Sequence, residues 1–502
     1  MIAPKNIFLI LIIGFTPIYA QLERVKIEVA QSNIDRLESD PFNSEDVYGH
    51  FLGADGVRRD SVDINYRGAY QLIKFISWWR IEQRNWKVKV DKDQRYNNRR
   101  EWNYNFEPHP RQVMAYLLFK KAGVAAASCR HVKLSLNGKD MGIYSEYEDI
   151  DNKRWLTDKF GDNDGDLFKA AFDIPNEPRY FAGLNDLGDD DEDYFWHYRK
   201  KTNNNDEAEF DYSLLLEFIK TINDTPDNQF EQTLKENFDT DSFIKYLVVA
   251  NFISNWDSYP VRPKNYWLYH NPTDNRWTFI PWDLDATFQT ETSPINQMGT
   301  DASIFYQFDK YEPYNLQPQE GSERPLVRKM MMHESFRNAY ILEYQKALKT
   351  YLKESTLVSM IDSLKTLVTP SASASDLSTY TNEVRDMKNF ISNRTRLVAA
   401  EANSFVIEID ENSPLTTNPA EKDLSIFYNE KLIKIKSKSV PTSNINLSLT
   451  DLGGKKQTIV KTQYSQGDTH YLEISTQNIV SGIYILQLTK GDVIQTRKIF
   501  IP

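Results

Sequence analysis

Three aspartates and an asparagine lie close together in one aromatic stretch, NWDSYPVRPKNYWLYHNPTDNRWTFIPWDLDATF, which runs from Asn255 to Phe288. Two short strands are predicted in it, Tyr266 to Tyr269 and Trp277 to Ile280, joined by the turn-forming Asn271-Pro272-Thr273-Asp274-Asn275. An amphipathic run with Phe243, Leu247, Val248 and Phe252 predicts a helix that ends shortly before Asp257. A hairpin brings its outer ends together, so Asp257, Asn265, Asp283 and Asp285 are expected to converge on one spot beside Trp256 and Trp282. Carboxylate and amide oxygens gathered in this way suit a hard divalent cation. Asp and Asn also favour caps and turns on their own account. Three carboxylates and an amide flanking a single hairpin nevertheless favour the ligand reading.

The elements that must position this stretch follow from periodicity. Val25 to Val29 alternates as a strand, and a polar segment is expected after it up to about residue 60. Val62 to Tyr66 follows as a strand ending at Arg67-Gly68, and Trp86 to Val90 alternates cleanly, with Lys87 and Lys89 on the face opposite Trp86, Val88 and Val90. A helix is predicted from Arg111 to Lys121, stopped by Gly123. Next comes a hairpin, His131 to Leu136 and Gly142 to Tyr147, turned by Asn137-Gly138. Residues 212 to 252 read as helical, with Asp239 or Asp241 as the N-cap, and further helices are expected over 336–352, 355–367 and 380–400. The acidic run Asp186 to Asp193 is expected as a solvated loop. Asp162-Asn163-Asp164-Gly165-Asp166 lacks the glycine offset and the final glutamate of a calcium-binding loop and reads as a turn.

With 502 residues, 40% of them hydrophobic and 13% aromatic, the chain has material for two or three domains with sizeable cores. A net charge of −11 argues against a nucleic-acid partner. Lys5, the apolar run Ile7 to Phe15 and the small-residue end at Ala20 have the three zones of a secretory signal peptide over residues 1–20. No later stretch is long and apolar enough to span a membrane, so no transmembrane segment is expected in the mature chain. Cys129 is the only cysteine and reads as a small buried hydrophobe; the seven histidines show no pair at zinc-ligand spacing. Residues 408–424 turn to Asn, Pro, Thr and Ser and mark a linker. From 425 to 502 short strands separated by Gly453-Gly454 and Gly491-Asp492 predict a small all-β sandwich.

The runs N-W-D-S-Y, K-N-Y-W-L-Y and I-P-W-D-L-D-A-T-F resemble the signature of the CotH kinase family, secreted or coat-associated proteins with an atypical protein-kinase-like fold. Arg67-Gly68, the stretch from Leu136 to Asp151, Asp166-Leu167-Phe168-Lys169-Ala170 and the closing Met387-Lys388-Asn389-Phe390 with Arg394 carry the resemblance over much of residues 60–400. It implies an α+β, two-lobed kinase-like domain over residues 21–407 that uses ATP with Mg²⁺ or Mn²⁺ to phosphorylate Ser or Thr of an extracytoplasmic protein. Hairpin geometry and resemblance together assign Asp257 as the catalytic carboxylate, Asn265 and Asp283 as metal ligands, and Asp285 as a second ligand or a support for the others. Arg67 belongs to the nucleotide-binding half; Arg84, Lys87, Lys89 or Lys169 would contact phosphate. Glu148 would sit at the nucleotide hinge or pair with that cation. The chain departs from the family at its lysine pair, where Gln83-Arg84 stands, and at Gln289, where glycine is usual. Leu449 to Lys455, Gly482 to Leu488 and Lys498 to Ile501 resemble the type IX secretion C-terminal sorting domain of Bacteroidetes, which implies a partner in that secretion machinery and a secreted or outer-membrane surface location.

Two other classes fit parts of the pattern. A surface adhesion protein on a kinase-like scaffold would explain the missing lysine pair and Gln289, while the retained Asp257, Asn265 and Asp283 oppose it. A carbohydrate-active enzyme with paired carboxylates would suit the aromatics and acidic loops, but Asp283 and Asp285 alternate on an extended segment and would point oppositely unless the chain bends there.

Overall fold

The computed structural model describes residues 21–41, 45–68, 83–107, 109–170, 181–205, 211–290, 298–308 and 323–405, and then the strands between 424 and 501 with short stretches beside them. The expected signal peptide and nearly all of the expected linker lie outside the described residues.

Alternation of apolar and polar residues closes the N-terminal part into a barrel. Its strands are β1 (Arg24–Val29), β2 (Val47–Leu52), β3 (Arg58–Tyr66), β4 (Trp86–Lys89), β5 (Glu101–Phe106), β6 (Cys129–Leu136) and β7 (Lys139–Glu148), in the order β1-β2-β3-β4-β5-β7-β6. Parallel pairing of β6 with β1 completes the ring, so no strand edge is left open. Val25, Ile27, Ile64, Trp86, Val88 and Tyr104 fill its interior. The supposed polar segment before residue 60 in fact holds helix α1 (Gln31–Ser39) and all of β2. In β2 only alternate residues are buried, and Gly49 and His50 hide that rhythm in the sequence.

The β6–β7 turn has Asn137 at φ 48° and Gly138 at φ 80°, the left-handed pair that a two-residue hairpin needs. The Asn137 side chain also accepts from the Val29 amide and donates to the Val29 carbonyl, each at 2.8 Å, which pins the turn to β1. Between β5 and β6, α2 (Arg111–Ala122) ends at Gly123, whose left-handed backbone (φ 82°) lets its amide reach the Lys120 and Phe119 carbonyls.

The second part contains α3 (Lys153–Phe160), β8 (Leu167–Ala170), α4 (Asp191–Phe195), β9 (Tyr198–Lys200), α5 (Ser213–Asp224), α6 (Asp227–Asn237), α7 (Thr240–Phe252), β10 (Tyr266–Asn271) and β11 (Arg276–Pro281). The four strands form a sheet ordered β11-β10-β8-β9. The acidic run is therefore not loop throughout: Asp191 to Phe195 is a short helix with acidic residues in its first turn, where they complement the helix dipole. Of the two candidate caps, Asp239 is the one that accepts the Ser242 amide at the start of α7. Four further helices follow, α8 (Pro325–Met332), α9 (Glu334–Lys349), α10 (Glu354–Val368) and α11 (Ala374–Ala402). One continuous apolar core joins α2, α7, the β10–β11 hairpin, α9 and α11.

Helix α11 touches both parts. Near its start Tyr380 Oη lies 3.2 Å from His131 Nε2 on β6, and Glu383 pairs with Arg111 of α2 at 2.6 Å. Towards its end the fully buried Arg394 donates to the Asn251 carbonyl at 3.0 Å and to its side-chain oxygen at 2.7 Å, and to the Thr300 carbonyl at 3.1 Å. A helix leaves its last carbonyls without intrahelical donors, and Arg394 satisfies them at the end of α7, where the chain sets out toward Asp257.

Beyond the linker, β12 (Leu424–Asn429), β13 (Leu432–Ser437), β14 (Asn446–Asp451), β15 (Val460–Gln466), β16 (Thr469–Ser475), β17 (Gly482–Lys490) and β18 (Val493–Ile501) form two antiparallel sheets, β12-β13-β16-β15 and β14-β17-β18. Leu447, Leu449, Leu472 and Ile474 are buried there.

Candidate active site

Backbone bends bring the predicted residues together. After α7, Ser254 takes a left-handed conformation (φ 49°), and the Asn255 amide bonds back to the Ala250 carbonyl. After β11 the Phe288 amide donates to the Ile253 carbonyl at 2.7 Å, tying the Asp283–Asp285 segment to the end of the same helix. The Trp282 amide donates to the Asn265 carbonyl at 3.1 Å and closes the outer end of the hairpin. Asn265 and Asp283, next to that bond, both have positive φ, 58° and 53°. Each such residue costs on the order of 1–3 kcal/mol, and strain of this kind gathers where a site needs it. The bend at Asp283 also removes the strict alternation that would send Asp283 and Asp285 to opposite faces.

Asp257 is held by three donors. Arg262 Nη1 lies 3.2 Å from Oδ1, Lys264 Nζ 3.0 Å from Oδ2, and Asn265 Nδ2 3.1 Å from Oδ2, while the same amide nitrogen donates to the Asp257 carbonyl at 2.8 Å. With its nitrogen thus engaged, the Asn265 amide oxygen is the atom that could face a cation.

Among the described residues Asp283 and Asp285 have no comparable side-chain donors, and Asp285 accepts from the Ala286 backbone amide. Among the described residues neither side chain is in an ion pair. Burial raises the Asp283 carboxyl above the usual carboxylate range, a rise that Arg67 and Lys264 only partly offset. Asp285 keeps contact with water, yet the protein crowded around it, with Asp283 and Asp257, pushes its carboxyl up to about 7. Sequence reasoning missed a further member, Glu107. It follows β5, is buried, accepts from Ser145 Oγ at 3.1 Å, and is raised well above its ordinary range by burial and by Asp285 and Asp283. Its sequence context, Phe106-Glu107-Pro108 at a strand end, looks like an ordinary turn and gives no signal.

The expected phosphate cations divide into two sets. Arg84 pairs with Glu38 of α1 at 2.7 Å and lies over the Tyr66 ring. Lys87 pairs with Glu101 at 2.8 Å and Asp149 at 3.1 Å, and Lys89 lies 3.6 Å from Glu101. Arg67 and Lys169 form no ion pair among the described residues. Arg67 donates to Asn105 Oδ1 at 2.9 Å, stacks on Tyr147 and Trp282, and feels Asp149 and Asp283. Lys169 lies over the Trp267 ring, and burial, with the Lys201 and Arg67 charges, brings its ammonium down to about 8. Glu148 does not take the pairing expected of it. It binds Arg99 at 3.0 Å, the Ser128 amide at 2.8 Å and the Trp155 indole at 3.1 Å, and the neighbouring Asp149 holds Lys87 instead. Gln289 accepts from the Trp256 indole at 3.2 Å.

Among the described residues no three acidic, histidine or cysteine side chains are grouped closely enough to enclose a metal ion. A cation held by Asp283, Asp285 and the Asn265 oxygen would need further oxygens from water or phosphate. That partial ligand set suits Mg²⁺, which keeps several waters and is held through one or two carboxylates with substrate phosphates. The only partly compensated charge of Asp283 and Asp285 is what such an ion would neutralise.

Comparison with known proteins bears on both parts of the chain. Residues 64–398 match the CotH kinase protein family model, and residues 418–502 match the secretion system C-terminal sorting domain. The chain is 24% identical over 294 residues to the inner spore coat protein H of Bacillus subtilis, covering 58% of this chain and 75% of that protein. It is 26% identical over 220 residues to Invasin CotH2 of Rhizopus delemar, 41% of this chain but only 35% of the invasin. Of Invasin CotH3 from the same organism it covers 31%, so it spans about a third of either invasin. Among solved structures, the twitchin kinase region of C. elegans aligns over 83% of this chain and 70% of its own, with 9% identity and a TM-score of 0.20. The sorting domain points to secretion or the cell surface, and among the described residues no helix is long and apolar enough to cross a membrane. The match over residues 64–398 covers most of the chain, which belongs to the CotH kinase protein family.

Proposed function

We propose that the chain is an exported, two-lobed CotH-type kinase that transfers the γ-phosphoryl group of ATP, with Mg²⁺ or Mn²⁺, to Ser or Thr hydroxyls of an extracytoplasmic protein. The observation that carries this reading is the placing of a firmly held carboxylate, Asp257, beside carboxylates that form no ion pair among the described residues, Asp283 and Asp285. Phosphoryl transfer asks for that division: one group to orient the hydroxyl and accept its proton, others to hold metal, and cations for the phosphates. Asp257 orients the hydroxyl; Asp283, Asp285 and Asn265 hold the metal; Lys169 and Arg67, which form no ion pair among the described residues, contact phosphate. Bound metal and nucleotide supply the transferable group and the charge neutralisation. The residues sit on the strained turns of a hairpin and a helix end, which hold them in place before any ligand arrives. The sorting domain hands the protein to the type IX machinery for attachment at the outer membrane.

The tie-up of Arg84 and Lys87 in ion pairs and the kinship to two invasins favour one alternative, a surface adhesion protein that no longer transfers phosphate. Incubation with γ-labelled ATP and Mg²⁺ or Mn²⁺ decides between them. Label on the chain or on a serine-rich protein, lost in both Asp257→Ala and Asp283→Ala, supports the kinase. Absence of label together with no nucleotide-dependent shift in melting temperature supports the adhesin.

A further inference from the structure

Lys264 has so far been only a partner of Asp257, yet its surroundings differ from those of the other cation there. The Arg262 guanidinium is buried and lies between two aromatic rings, 5.7 Å from the Trp256 centroid and 5.9 Å from that of Phe181. That packing fixes it. Lys264 is more open, with 18% of its side chain exposed against 8% for Arg262, and its ammonium sits 3.0 Å from Asp257 Oδ2. Its charge also reaches across the site, where it opposes the upward shifts of both Asp283 and Asp285. Asp257 does not depend on it alone for orientation, because Arg262 holds Oδ1 and Asn265 holds both Oδ2 and the Asp257 carbonyl. A lysine is a point charge on a flexible stem with three donors, suited to following a moving charge.

Building on the kinase reading above, we propose that Lys264 is the cation that meets the transferring γ-phosphoryl group, resting on Asp257 when the site holds no nucleotide and turning to the terminal phosphate when it does. Once a divalent cation offsets Asp283 and Asp285, the strongest remaining anion within the reach of Lys264 is phosphate. During transfer the hydroxyl oxygen forms its bond to the γ-phosphorus. The bond from that phosphorus to the bridging oxygen breaks, the electron pair leaves with ADP, and the hydroxyl proton passes to Asp257. Lys264 exchanges no proton and only offsets charge on the phosphoryl oxygens.

The test compares affinities of the full chain for Mg·ATP and Mg·ADP, by calorimetry or melting shift, in wild type, Lys264→Met and Lys264→Arg. A charge-assisted contact to the third phosphate gives the wild type a preference for ATP of roughly 10- to 100-fold. In Lys264→Met that preference should fall at least about tenfold while ADP affinity holds, and Lys264→Arg should keep part of it. If Lys264→Met keeps the wild-type preference, or weakens both nucleotides alike, Lys264 merely supports Asp257 and the proposal falls while the kinase reading stands. If the wild type binds neither nucleotide, the kinase reading fails and takes the proposal with it.

Discussion

Two aspartates placed together by the same hairpin live in opposite electrostatic worlds. Asp257 receives Arg262, Lys264 and Asn265. Asp283, drawn beside it by the bond from the Trp282 amide to the Asn265 carbonyl, has no ion-pair partner among the described residues, and Arg67 and Lys264 only partly offset the burial that raises it. A saturated carboxylate is held by the protein for its own geometry, whereas an unsaturated one is held at a cost for something that arrives later. The difference is what the proposed kinase reading uses to assign Asp257 to the hydroxyl and Asp283 and Asp285 to the metal, an assignment that neither family membership nor fold would make alone.

Phosphate transfer breaks the comparison most sharply. If the chain is the proposed kinase, removing either carboxylate should abolish label incorporation, a loss of about 10³-fold or more, because in that reading one positions the hydroxyl and the other the metal. Stability should then tell the two apart. Asp257→Ala strands the buried Arg262 charge and should cost about 3 kcal/mol in urea unfolding. Asp283→Asn removes a charge that burial disfavours, so in EDTA its melting temperature should stay level or rise. Equal destabilisation by both would show that the contrast in partners has no energetic meaning. Added Mg²⁺ or Mn²⁺ should raise the wild-type melting temperature, by about 2.7 kcal/mol of stability at a hundredfold excess over Kd. Asp283→Asn and Asp285→Asn should lose that response, and Asp257→Asn should keep it.

Much of this was open to sequence reasoning, and what was hidden has physical causes. The hairpin and the convergence of Asp257, Asn265, Asp283 and Asp285 follow from turn residues and strand periodicity, which are local. The bend at Asp283 was legible only as a condition, since a positive φ at an aspartate leaves no trace in residue type. Glu107 escaped notice because its surroundings, Asp283, Asp285 and Ser145, are distant in the chain. Glu148 and Asp149 stand side by side, and strand alternation sends one to Arg99 and Trp155 and the other to Lys87. A single-residue uncertainty in register therefore decides which of them meets Lys87. β2 was lost for a similar reason, its buried positions being interrupted by glycine and histidine.

The cations repeat the contrast on a smaller scale, and there the measurable effect is chemical reactivity. Burial would lower Lys87, but Asp149 and Glu101 outweigh it, so its ammonium is held above the ordinary lysine range. Lys169 lacks such partners, and burial with two neighbouring cations brings it down to about 8. At pH 8 roughly half of Lys169 is therefore the uncharged nucleophile, while well under about 1% of Lys87 is. Brief treatment with an amine-reactive ester at that pH, followed by peptide mass spectrometry, should find Lys169 modified at least about 100-fold faster than Lys87 if access is equal. Mg·ATP should protect Lys169, because an ammonium bound to phosphate returns to its charged form and is covered. Lowering the pH to 6 should cut Lys169 labelling roughly 50-fold, while Lys87, protonated at both values, should stay near background throughout. Equal labelling of the two, or labelling of Lys169 that ignores nucleotide, would move the phosphate contact to Arg67 and leave Lys169 as a buried amine packed on Trp267.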